Sequence, residues 1–105
     1  MVGSGWEGAA LIETGEGSTF DPQIAMNVNG NGIAVWKQYN FDRSKYSICA
    51  NRYVVGTGWG TAQLIENTDE DVAPPQIAMD NNGNGIAVWE QSNSSKHSIW
   101  ANIYR

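Results

Sequence analysis

The chain has 105 residues, enough for one domain with a real core, and 41% hydrophobic residues including five Trp, four Tyr and two Phe exclude a disordered polymer. Six Lys and Arg against eleven Asp and Glu give a formal charge of −5, the wrong sign for attraction to a phosphate backbone, so no nucleic-acid partner is expected. No apolar run approaches membrane-spanning length, so no membrane insertion is expected, and the single Cys49 leaves the redox compartment open because it cannot close an internal disulfide.

The N-terminal MVGSGWEGAALIE lacks a basic region followed by a long apolar stretch, so no signal peptide is expected and the compartment stays open. Within it, GWEGAALIE at Gly5 to Glu13 returns as GWGTAQLIE at Gly58 to Glu66. Thr14 to Asp21 and Asn67 to Pro74 follow as polar loops, and the acids of the second are read as solvated connection. Next, PQIAMNVNGNGIAVWKQ at Pro22 to Gln38 returns as PQIAMDNNGNGIAVWEQ at Pro75 to Gln91. Ile77 to Met79 and Ile86 to Trp89 are short apolar runs rich in β-formers around an Asn/Gly segment, which predicts a hairpin in each copy. The run Ile86, Ala87, Val88, Trp89 sends apolar groups to both sides of a strand, so both faces of the sheet should be covered. Polar connections at Tyr39 to Tyr46 and Ser92 to His97 lead to SICANRY at Ser47 to Tyr53 and SIWANIY at Ser98 to Tyr104, alternating as strands do.

Between residues 5–38 and 58–91, 20 of 34 pairs are identical, which makes this an internal repeat. Residues 1–105 are read as one all-β domain of two repeats, about 5–57 and 58–105, each with four antiparallel strands, the content of a propeller blade. The pattern PQIAMDxNGNxIAVWxQ followed by IWANRY resembles the repeated blades of bacterial β-propeller-like proteins, with a looser similarity to lectin-type propellers. The resemblance covers nearly the whole chain and concerns a type of repeat, not an activity. Sialidase-type Asp-box blades fit less well, because Asp80 and Trp89 are too far apart and no Thr precedes the Trp.

The chain opens on a fourth strand and closes on a third. Ala62 to Glu66 can complete the first blade, whereas the second lacks its fourth strand, and the equivalent segment is Ala9 to Glu13 at the N-terminus. Two blades cannot close a ring, so the expected state is a cyclic homo-oligomer, a trimer or tetramer, in which Ala9 to Glu13 completes a neighbour's second blade. The rival fold is a sandwich of two four-stranded sheets within one subunit.

The chemical inventory predicts no enzyme and no cofactor. His97 lies in a connection whose counterpart is Tyr46, and no Ser, His and Asp grouping or phosphate-cradling turn is present. Cys49, counterpart of Trp100, reads as a packed strand residue. Asp80, Asn82, Asn84 and Gly85 fit the opening of a calcium loop, but Gln91 stands at the twelfth position and Asn27 replaces Asp80 in the other repeat, so a turn is preferred and no metal is expected. Trp36, Trp89 and Trp100, with Gln38 and Gln91, Asn51 and Asn102, and Tyr53 and Tyr104 in register, supply indole platforms and hydrogen-bonding groups suited to a glycan, although Trp36 and Trp89, inside apolar runs, are better read as packing between blades. The expected function is a non-enzymatic, multivalent, lectin-like binding module with Trp100 as the leading platform. The alternative is a scaffold or protein-interaction module without a small ligand.

Overall fold

The structure, a computed structural model, describes residues 5–6, 8–66, 71–92 and 95–105. Among these residues there is no helix, and two antiparallel sheets form. The first contains β1 (Thr19–Met26), β2 (Gly32–Asn40) and β3 (Lys45–Val54) in that order, with β4 (Gly58–Trp59) and β5 (Gln63–Leu64) following one another along the far side of β3. In the second, β6 (Asp71–Val72) and β7 (Gln76–Met79) share one side of β8 (Gly85–Ser92), and β9 (His97–Tyr104) takes the other. β5 thus lies within Ala62 to Glu66, the segment of the second repeat that the sequence assigns as the fourth strand beside the first three. Of the acidic loop read as solvated connection, Asn67, Thr68, Asp69 and Glu70 lie outside the described residues.

Each repeat is built from the same devices. The β1–β2 turn is organised by Asn27, whose Oδ1 accepts from the amides of Asn29 (3.0 Å) and Asn31 (3.2 Å). In the β7–β8 turn Asp80 Oδ1 accepts from Asn82 and Asn84, both at 2.9 Å. Such short side chains shape a turn by bonding the backbone two residues on, and the glycine that follows must take a positive φ: 90° at Gly30 and 89° at Gly83. One extra residue interrupts each edge, between Phe20 and Gln23 in β1 and between Val72 and Gln76 where β6 ends and β7 begins. Pro22 and Pro75 fall in these interruptions, where a missing N–H costs no ladder bond.

The alternation of β2 divides the first sheet into an isoleucine face, carrying Ile33 and Val35 with Ile48 and Ala50 across the ladder, and a tryptophan face, carrying Ala34, Trp36 and Gln38 with Cys49 and Asn51. In β8 the same faces carry Ile86 and Val88, and Ala87, Trp89 and Gln91. The sheets pack face to face, but they use opposite faces. Ile33, Val35 and Ile48 of the first sheet meet Val72, Ala87 and Trp89 of the second, with Ile77, Met79 and Ile65 around them. Full burial of each such aliphatic side chain contributes about 1.5–3 kcal/mol.

The two turns, in contrast, meet through counterpart residues of the repeats, 53 apart in the chain. Asn27 Nδ2 donates to the Asp80 carbonyl, the Val28 amide to Asn81 Oδ1, and Asn29 Nδ2 to the Asn81 carbonyl, at 3.2–3.3 Å. In the sheet packing, however, a surface of one repeat meets a different surface of the next, unlike the self-matching contact of a two-fold sandwich.

A candidate ligand cleft between the sheets

Trp36 and Trp89 are buried, each 4% exposed, and each indole is satisfied by the glutamine two residues on. Trp36 Nε1 donates to Gln38 Oε1 at 2.8 Å, and Trp89 Nε1 to Gln91 Oε1 at 2.7 Å. Spacing of two in a strand puts both side chains on one face, and a buried indole N–H needs an acceptor. Trp36 and Trp89, better read from the sequence as packing, and Gln38 and Gln91, read as ligand groups, thus hold one another inside the core. Gln38 is bonded further, its Nε2 donating to the Thr14 carbonyl.

Asn51 and Asn102 also repeat a structural bond. Asn51 Nδ2 donates to the carbonyls of Ile12 (2.9 Å) and Gly60 (3.0 Å), and Asn102 Nδ2 to that of Ile65 (2.7 Å). Ile12 and Ile65 are counterparts in the repeat. The Leu-Ile-Glu segment at residues 64–66 therefore serves two sheets: Leu64 pairs with Cys49, the Ile65 amide donates to Ile48, and the Ile65 carbonyl reaches across to the second sheet. Residues 11–13 make the same reach onto the tryptophan face of the first sheet.

Where the sheets diverge, a cleft of about 420 Å³ opens. Its floor is apolar, from Ile33, Val35, Ile77 and Ala87, and its walls carry Asn51, Arg52, Thr61, Gln63, Asn102 and Tyr104. The Arg52 guanidinium lies 4.2 Å from the centre of the Tyr104 ring, a cation–π arrangement that joins the walls. The cleft brings together Asn51, Asn102 and Tyr104 from the sequence-derived set. Tyr53 lies apart, edge-on to Trp59 at 5.5 Å. Trp100 is opposite Trp89 in the ladder, 41% exposed, and does not line the cleft. Arg52, Thr61 and Gln63 were not singled out from sequence, because Arg52 is matched by Ile103 in the other repeat and only the meeting of two sheets makes a wall of them.

A second cleft, about 510 Å³, lies on the other side of the first sheet and is bordered by Thr14, Gly17, Phe41, Cys49 and Leu64. Burial, with the nearby carboxylates of Glu66 and Glu13 adding to it, pushes the Cys49 thiol up to about 11, so it is protonated near neutrality and a poor nucleophile. His97 is exposed, with Nδ1 3.4 Å from Glu90 Oε1. Asp80 Oδ2 accepts from Asn84 Nδ2 at 3.0 Å while Oδ1 holds the turn, so both oxygens already have partners. These bonds, that of the Asn84 side chain foremost, hold its carboxyl below the usual range. Among the described residues no group of three or more His, Cys, Asp or Glu side chains is placed to hold a metal ion. Protein-family models, curated proteins and solved structures offer no match to this chain.

Proposed function

We propose that the chain is a segment of a β-propeller: its sheets are consecutive blades, and three or four copies close a ring whose interblade clefts bind carbohydrate without catalysis. The head-to-tail use of opposite faces within one chain carries this reading. Ile33 and Val35 are covered by the second sheet, whereas their counterparts Ile86 and Val88 are exposed, so the stacking that begins inside the chain has an uncovered end. Ile24 and Met26, exposed on the opposite side, are the counterparts of Ile77 and Met79, which pack on the core. A ring is the closed form of such an open contact.

Carbohydrate is the ligand class that suits the cleft. An apolar floor and the Tyr104 ring offer surface for C–H groups, while Arg52, Thr61 and Gln63 offer donors and acceptors for hydroxyls. Repetition around a ring would turn weak single sites into avidity. The scaffold reading draws on a different observation: Asn51 and Asn102 already donate to backbone carbonyls, so the most regularly repeated amides brace the fold.

A glycan array followed by titration of tryptophan fluorescence separates the two. Saturable binding that is lost in Arg52→Ala and Thr61→Ala proteins of unchanged assembly supports the cleft. An array without signal, or binding untouched by both changes, favours the scaffold.

A further inference from the structure

Resting on the ring reading, we infer that residues 9–13 of a second copy form the missing outer strand of the second sheet, in a register dictated by the first. In the first sheet that position is filled within the chain, with Cys49 opposite Leu64 and Ala50 opposite Gln63. Shifting each residue to its counterpart places Trp100 opposite Leu11, and Ala101 opposite Ala10, of the second copy.

Three observations point to this occupant. First, among the described residues β9 pairs only with β8 and is mostly exposed, Ile99, Trp100, Ile103 and Tyr104 included, whereas β3 at the same place contains buried Ser47, Ile48 and Asn51. Second, the Leu11 to Glu13 segment is already docked on its own first sheet through the Asn51 bond to Ile12, with Leu11 directed away and exposed. Docked in this way, residues 64–66 bridge two sheets, and residues 11–13 bridge only to one. Third, Glu66 and Glu13 are counterparts with different fates. Glu66 is buried and receives Arg43 Nη1 from the β2–β3 connection at 2.8 Å, whereas Glu13 Oε2 is buried with no hydrogen-bond partner among the described residues. By the same transfer Glu13 would meet the β8–β9 connection of the second copy, which carries Lys96 just before His97 opens β9. A carboxylate oxygen removed from water is costly until such a group arrives.

The contact is heterologous: the donor segment and the acceptor edge lie at different places on each copy, so every copy both gives and receives a strand. It also orders assembly. An open row of joined chains still presents one free segment and one free edge, at its two ends, until the ring closes.

Directly opposed residues in an antiparallel pair have Cα atoms about 4.5–5.5 Å apart, within reach of a disulfide. In a Cys49→Ala background, Leu11→Cys and Trp100→Cys proteins are purified separately, mixed and oxidised. A two-chain disulfide species formed by the mixture and by neither protein alone is the expected result. Ala10→Cys with Ala101→Cys should behave likewise and serves if loss of Trp100 impairs folding. Ile12→Cys with Trp100→Cys should not cross-link, since a one-residue shift turns the side chains to opposite faces. Cross-linking of that shifted pair, or none by the two predicted pairs in a protein that is oligomeric, overturns the register while leaving the ring reading standing. A monomer throughout overturns both.

Discussion

Ile33 and Ile86 occupy the same place in the two repeats, yet one is 4% exposed and the other 48%. Ile33 reaches Gly85 of the second sheet so closely that a Cβ built there would lie 2.5 Å from its Cδ1. Ile86 sits in the equivalent strand, beside Ala78 as Ile33 is beside Ala25 but with Ile103 in place of Arg52, and no sheet lies above it among the described residues. Identical residues in unequal surroundings make the two positions a matched pair for experiment.

Ile33→Ala should destabilise the fold by about 2–5 kcal/mol, the usual cost of emptying a core isoleucine site. Ile86→Asp should leave the stability of the isolated chain within about 0.5 kcal/mol but abolish association, since a carboxylate would be buried at the junction. Urea unfolding and sedimentation velocity read the two effects separately. An Ile86→Asp protein that still assembles would show that this face is not covered.

Removing residues 1–14 should abolish assembly and favour aggregation. The truncation withdraws the strand offered to a neighbour and also the carbonyls of Ile12 and Thr14 that accept from Asn51 and Gln38. Size-exclusion chromatography is the check, and an unchanged oligomer would contradict strand donation.

Gln91→Leu should cost about 1–3 kcal/mol by leaving the buried Trp89 N–H without its acceptor. The additional change Trp89→Phe, which removes the donor, should be less than additive with it in a double-mutant cycle from urea melts. Full additivity would mean that the bond is not coupled in solution.

Much of this architecture is legible in the sequence because the repeat writes it twice. The Asn/Gly turns, the strand order and the place of Gln63–Leu64 beside β3 follow from the spacing of conserved pairs within the chain. The roles of the recurring amides are harder to read. Gln38 and Gln91 suit a sugar as well as an indole by residue type. The Trp-x-Gln spacing, which puts both groups on one strand face, was the available signal for the second role. No local pattern could reveal the sheet face that Ile33 uses or the wall that Arg52 forms with Tyr104, since both depend on how the second sheet is set against the first.

Asp80 supplies a pH-dependent term of definite sign. Its folded pKa lies below the unfolded value of 3.8, so its contribution is present above 3.8 and is lost as pH falls through the lower folded value. The stability difference between wild type and Asp80→Asn, in urea melts from pH 6 down to 2, should therefore change only below about pH 4. A change centred near neutrality would point to another group. Chelator should leave the melting temperature of the wild type unaltered, because Asp80 is the one carboxylate in its turn and its oxygens already hold that turn together.

The mass of the assembly in solution tests the ring most directly. Light scattering on the full chain at micromolar concentration should give three or four times the mass of one chain, with no open-ended growth as concentration rises. A stable monomer, or a distribution that lengthens without limit, would contradict a closed ring built by strand donation.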